Sequence, residues 1–194
     1  MPRNHRMQDR EEKRSLIIDA AQQLFLRDGY EATSMTRLAK AASIAANTIY
    51  WYFKDKDDVL IAVLNKELSA RLANYLQQSF DQMSERLLWV VNQLELVSPL
   101  VSTVHARAQL APAIQVWHVQ FHHLIDAMLR VELDAVGIAA DHIDAVMNIW
   151  VFTIEGLLTH SMTATQKQQI CQILSLGISQ HISVNTEPSD QHSH

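Results

Sequence analysis

Between residues 45 and 56 the chain sets out Ala45, Asn47, Thr48, Tyr50, Trp51 and Tyr52, then Lys54 and Lys56. An asparagine amide can pair with a base edge, and hydroxyls and lysines can bond phosphate oxygens. Aromatic rings add planar surface, and Arg37 and Lys40 bring further positive charge just upstream. The chemistry on offer is non-covalent recognition of a nucleic acid. A second set, His118, His122 and Asp126, falls at i, i+4 and i+8 on one helical stripe. Such spacing can ligate a divalent metal. It equally describes a solvated polar face or a histidine lining a pocket. With no His-Glu-x-x-His pattern and no second cluster, no metal is assigned. No nucleophile–base pair or phosphate loop is visible either. The expectation is therefore a chain that is not an enzyme and carries no cofactor.

Two short helices joined by a tight turn, behind a longer supporting helix, would position the first set. Leu16, Ile17, Ala20, Ala21, Leu24 and Phe25 recur at helical spacing, with Gly29 placed to cap. This predicts a first helix over about 11–28, after a flexible basic arm whose Arg3, Arg6 and Arg10 are free either to touch DNA or to touch nothing. Ser34 is an N-cap candidate for a helix over 35–42. A break at 43–45 separates it from a helix over 46–53. Leu38, Ala39, Ala42, Ile44, Ile49 and Phe53 supply the inward faces. Asp55 is the N-cap candidate of a long helix reaching Phe80.

Further along, a helical segment covers 87–96, and Pro99 and Pro112 each open another. The Pro112 helix should run to Val136 and stop at Gly137. A helix capped by Asp141 and ending near Met162 follows, then one from Thr165 to Ile182. The tail 185–194 is polar and is expected to be disordered. The chain has 194 residues, 48% of them apolar, and only four Gly and four Pro. That is enough apolar content for a core and too little punctuation for an all-β fold.

Charge is uneven. Residues 1–56 carry a net +3 and residues 57–194 a net −8. A basic front end before an acidic body suits a polyanionic partner at one end only. One cysteine, Cys171, leaves no intrachain disulfide, and no apolar leader or membrane-length run is present. A cytoplasmic protein with no membrane partner is expected.

The stretch Gly29-Tyr30, Thr33-Ser34, Leu38-Ala39, Ala42, Thr48-Ile49-Tyr50, Phe53 and Lys56 resembles the signature of the tetracycline-repressor (TetR) family of bacterial transcription regulators. The resemblance covers about 45 residues and is weak beyond Lys56. It implies an all-α fold of about nine helices. A helix-turn-helix DNA-binding domain (1–56) would precede a ligand-binding and dimerisation domain (57–184). In the family, residues matching Thr33, Thr48, Tyr50 and Lys56 meet phosphates, while those matching Ala45, Asn47 and Trp51 lie near bases. Ser34, Arg37, Tyr52 and Lys54 complete the expected DNA-binding set. Ser43 stands where the family usually has glycine, Ala45 where it often has a capping Ser or Thr, and Asn47 where Gly is common. A left-handed Ser43 would cost on the order of 1 kcal/mol relative to glycine.

The resemblance also implies a homodimer built on the last two helices. Ile143, Ile154, Leu157, Leu158, Ile170, Leu174 and Ile178 supply its face, with Gly177 allowing close approach. The middle helices would surround a small apolar or aromatic ligand, with Trp89, His105, Trp117, His118, Phe121, His122, Met147 and Trp150 as lining candidates. The function so implied is a homodimeric regulator, most simply a repressor released from its operator by a ligand. The alternative is a regulator of the same fold that acts through a protein partner.

Overall fold

The computed structural model describes the chain over residues 2–184, with side chains described for 8–176. It is all helical over those residues, with eight α-helices and one 3-10 helix. They form two compact units. The first takes in the chain up to Gln78 together with Val97–Gln120; the second takes in Ser79–Leu96 and the chain from Phe121 onward.

In the first unit, α1 (Pro2–Asp28) buries Ile17, Ala21, Leu24 and Phe25 along one face. It packs on α2 (Met35–Ala41), α3 (Lys56–Tyr75) and α5 (Ser98–Ala108). Its start at Pro2 corrects the loose arm expected over 1–10. The charged residues there are good helix formers and extend the helix without needing an apolar face. Arg3 and Arg6 have side chains outside the described residues. Gly29, at φ +87°, ends α1 in a conformation that glycine adopts freely.

Ser34 caps α2 as expected, its Oγ accepting from the Arg37 amide at 3.2 Å. Asp55 caps α3, accepting from the Asp58 amide at 3.0 Å, with Asp57 and Asp58 in the favourable first turn. Helix α3 stops at Tyr75, short of Phe80: Leu76 is exposed, and the Gln77 and Gln78 amides bond only three residues back, to Asn74 O at 3.1 Å and Tyr75 O at 3.0 Å. Val59, Leu60, Val63 and Leu64 of α3 join Leu100 and Val104 of α5 and Ile114 in one core with α1 and α2. That core runs past Lys56, so the packing boundary does not fall at the end of the helix-turn-helix segment. Polar ties reinforce the α1–α3 contact. Lys66 Nζ donates to Asp19 at 2.6 Å and to Gln22 at 2.5 Å, and the buried carboxylate of Glu67 accepts from Gln22 and Arg71.

In the second unit, α4 (Met83–Glu95) packs on α7 (Ala140–Thr159) and α8 (Ala164–Val184). Leu87, Val91, Ile143, Met147, Trp150, Leu157 and Cys171 make its core, with Leu133 from α6 (Pro112–Ala135). Helix α6 ends in a Schellman turn. The Ile138 amide donates to Leu133 O at 3.0 Å and the Gly137 amide to Asp134 O at 2.9 Å, with Gly137 at φ +84°. Asp141 does not cap α7. The N-cap is Ala139, with no side-chain bond, and Asp141 lies in the first turn beside the helix's positive end. Helix α8 opens instead with a reciprocal box, Thr163 and Gln166 each accepting from the other's backbone amide.

Two of the expected dimer residues, Ile143 and Leu157, are buried in this core, and Ile154, Ile170 and Leu174 pack against it. Leu158 is half-buried. The side chains of Gly177 and Ile178, like the tail 185–194, lie outside the described residues. The outward apolar residues of these helices are Ile149, Phe152, Ile173 and Leu176. Among the described residues, no single helix is long and apolar enough to cross a membrane.

Candidate nucleic-acid interface

The segment after α2 is shaped by how that helix ends. Ser43 has φ +57°; its amide donates to Lys40 O at 3.1 Å, and the Ile44 amide donates to Ala39 O at 3.0 Å. This is a Schellman turn with serine at the left-handed position, and Ile44 packs back on the core. The strained position inferred for Ser43 is therefore present.

The helix expected over 46–53 is not an α-helix. Residues 46–48 form a turn and only Ile49–Trp51 is regular, as a 3-10 helix. The Thr48, Trp51 and Tyr52 amides bond three residues back, at 2.8, 3.1 and 3.0 Å. The local composition explains the shortfall. Ala45 offers no capping oxygen, and Asn47, Thr48 and Ile49 are weak helix formers in succession. Ile49 and Phe53, both buried, pin the segment to the core.

That anchoring turns the intervening residues outward. Trp51 is 78% exposed and Tyr50 56%. Ala45, Asn47 and Lys54 are also exposed, while Thr48 and Tyr52 are half-buried. An exposed Trp–Tyr pair beside an amide and a lysine is costly in water and useful against a polar, stacked partner. Ser34 and Arg37 lie on the same exposed surface class, but Arg37 is engaged. Its guanidinium bonds Asp28 and donates to Ala32 O at 3.2 Å.

Thr33 requires a correction. It is fully buried, its hydroxyl donating to Gly29 O at 2.9 Å and its amide to Tyr30 O at 3.1 Å. It shapes the loop after α1 and presents no side chain to a partner. Lys56 is likewise built into the framework: Nζ donates to Tyr30 O at 2.8 Å and sits 3.9 Å from the Tyr30 ring centroid. Burial lowers its ammonium from the ordinary lysine value.

No local sequence pattern marks the hub beneath this loop. Asp57 accepts from the Tyr30 hydroxyl at 2.5 Å and from Arg107 Nε and Nη2, both at 2.7 Å. Arg107 also lies 4.9 Å from the Tyr30 ring centroid and 3.7 Å from Glu31. Burial alone would raise the Asp57 carboxyl. The hydrogen bonds from Arg107 and Tyr30 outweigh it and hold the group below the ordinary carboxylate range. Burial, and then the bond to Asp57, push the Tyr30 phenol well above its ordinary value, so it remains a donor. The start of α3, the loop after α1 and the last turn of α5 are thus tied together. Tyr30 and Arg107 are 77 positions apart in sequence, and no local pattern links them.

The candidate ligand residues divide between the units. In the first, Trp117 donates its indole N–H to Asn65 at 2.8 Å, and the His105 and His118 rings meet edge-on at 5.1 Å. In the second, Trp89 meets Phe80 at 6.0 Å and Phe121 meets His122 at 5.6 Å. Met147 and Trp150 are core residues. Among the described residues, no three His, Cys, Asp or Glu side chains converge as a metal site would need.

Residues 17–63 match the family model described as bacterial regulatory proteins, tetR family. The chain is 37% identical over 62 residues to the fatty acid metabolism regulator protein of Bacillus subtilis, covering 32% of each chain. It is 44% identical over 52 residues to the transcriptional regulator AcrR of Shigella flexneri, covering 27% of this chain and 24% of that one. The chain thus matches about a third or less of the length of these relatives. Similarity of fold extends further. GusR of Salmonella enterica superposes with a TM-score of 0.69 at 20% identity, over 89% of this chain and 96% of that one. The fatty acid degradation regulator FadR of Bacillus halodurans gives 0.60 at 23% identity, over 84% and 94%.

Residues 17–63 thus match the tetR family of bacterial regulatory proteins, and over the rest of the chain the likeness to the solved structures is one of fold.

Proposed function

We propose that the protein is a homodimeric DNA-binding transcriptional regulator, most simply a repressor that a small molecule releases from its operator. The observation that carries the DNA-binding part is the segment 45–54. It lies inside the matched family region, is pinned by Ile49 and Phe53, and displays Asn47, Tyr50, Trp51 and Lys54 to solvent. Asn47 is the base-reading candidate, since its amide can pair with adenine N6 and N7. Tyr50, Lys54 and the Ser34 hydroxyl serve as phosphate contacts. Lys56, with one proton held by Tyr30 O, acts mainly by fixing the loop.

Support for a homodimer is the outward apolar set of α7 and α8. Ile149 and Phe152 lie three apart on α7, and Ile173 and Leu176 three apart on α8, all more than half exposed. Two consecutive helices that both pack on α4 and carry such stripes suit an isologous four-helix contact, and two heads can then read half-sites about one DNA turn apart. Ligand release needs a molecule that binds the two conformations unequally. The half-buried aromatic and histidine residues of the middle helices suit a small apolar or aromatic ligand. A regulator of similar fold from Saccharomonospora viridis was crystallised with choline. The family match stops at the head, so no relative's ligand transfers to this chain. The reaction class is binding, and the setting is the cytoplasm, where the DNA lies.

The test is selection of bound duplexes from a random pool, followed by mobility shift. Asn47→Ala should relax discrimination at one position by about 1–3 kcal/mol, and Tyr50→Ala should weaken binding to all duplexes. Wild-type protein that enriches no sequence and shifts no duplex would overturn the proposal.

A further inference from the structure

The candidate interface has a second wall. Because α1 is helical from Pro2, Arg10 and Lys13 are held three residues apart on one side of a rigid element. Together with Asp9, they line an open groove of about 430 Å³ whose other wall is Trp51 and Tyr52. The groove therefore adjoins the exposed Trp51 of the reading segment. It carries two cations against one carboxylate, so its net charge is positive. Arg14, the next cation on α1, lies 5.2 Å from the Phe53 ring centroid and is directed to the domain's own core. Neither Arg10 nor Lys13 belongs to the residues assigned to DNA from the helix-turn-helix pattern.

We infer that Arg10 and Lys13 form a phosphate-binding wall, along which one strand of duplex DNA runs while the segment 45–54 faces the bases. The occupant follows from charge and from continuity. A polyanion matches the positive lining, and Trp51 on the groove belongs to the same short exposed segment as Asn47 and Tyr50. Trp51 then closes the groove as an apolar side against the sugar edge. Such a wall adds affinity without sequence information, because phosphates are the same at every step. The inference rests on the DNA-binding reading above and adds to it a named second site.

Counterion release gives a direct readout. Each phosphate contact contributes about 0.9 to the slope of log binding constant against log salt. Binding of labelled random-sequence duplex of fixed length would be measured by fluorescence anisotropy across a salt series. The full chain would be compared with Arg10→Gln/Lys13→Gln, Arg10→Lys/Lys13→Arg and Arg130→Gln. The glutamine pair should lower the slope by about 1.8 per bound protomer and weaken selected and random duplexes alike. The charge-conserving pair should keep the slope, as should Arg130→Gln, which removes an exposed cation of the second unit. A folded glutamine pair that binds with the wild-type slope would overturn the wall and leave the DNA-binding reading intact. Wild-type protein that binds no duplex would overturn both. Loss confined to selected duplexes would also overturn it, since that is base reading.

Discussion

Ser43 offers the sharpest test of the backbone argument. Its φ of +57° places an L-residue in the left-handed region at the end of α2, inside a Schellman turn whose two hydrogen bonds are 3.1 and 3.0 Å. A non-glycine residue there costs roughly 1–2 kcal/mol. Glycine removes that cost but loses about 0.5–1 kcal/mol through the greater freedom of its unfolded chain. Ser43→Gly should therefore stabilise the protein by about 0.5–1 kcal/mol. In a chain of this size that raises the melting temperature by about 1–4 °C. Ser43→Ala separates backbone from side chain. It deletes the hydroxyl and keeps Cβ, so it should melt close to the wild type. Differential scanning calorimetry of the three proteins in one buffer decides the matter. A Gly variant that melts at or below the wild type, or an Ala variant that gains as much as Gly, would refute the strain argument.

Asp57→Asn should cost about 1–3 kcal/mol near pH 7, measured by urea unfolding, since Arg107 and the Tyr30 hydroxyl lose a charged acceptor. The Asp57 carboxyl titrates below its ordinary value in the fold, so its contribution is complete above the unfolded value of about 3.9. It is lost as pH falls from that value through the lower folded one, and the gap between wild type and Asp57→Asn should narrow over that window and not above it. If the proposed homodimer uses α7, Phe152→Lys should leave a monomer by light scattering without lowering helix content, because that ring is 70% exposed. A dimer that survives with unchanged dissociation would remove α7 from the interface. Trp150→Ala, at the centre of the second unit's core, should cost about 3–5 kcal/mol in the same urea assay. Cys171 is buried and its thiol is pushed above the ordinary value. It should react with a disulfide reagent only after urea unfolding, and rapid native-state labelling would contradict its placement.

What could be read from the sequence was what is local. Ser34, Asp55, Gly29, Gly137, Pro99 and Pro112 act within a turn of where they sit, and each ends or opens a helix where its chemistry demands. The 46–53 helix was misjudged because apolar spacing at Ile49 and Phe53 is compatible with a 3-10 turn that pins the same two residues. Backbone propensity, not periodicity, settled the outcome. The outward face of α7 was illegible for another reason. Ile143, Met147, Ile149, Trp150, Phe152, Ile154 and Leu157 surround the helix, and periodicity cannot tell which of two apolar sides meets the subunit's own core. The Tyr30–Asp57–Arg107 hub is a matter of tertiary approach alone. Arg10 and Lys13 gained meaning only when α1 proved helical far enough to hold them beside Trp51.

The core that joins Ile17, Leu38 and Val63 to Leu100, Val104 and Ile114 also bears on how such proteins recombine. A gene fusion that exchanges heads by cutting after Lys56 would leave behind the segment that completes the donor's interior and the arginine that clamps Asp57. Breakpoints that preserve a working head must carry Val97–Gln120 with it, in two pieces separated by foreign sequence. Modularity here is a property of packing, not of consecutive stretches of chain, and chimeras designed on sequence boundaries alone should be unstable for that reason.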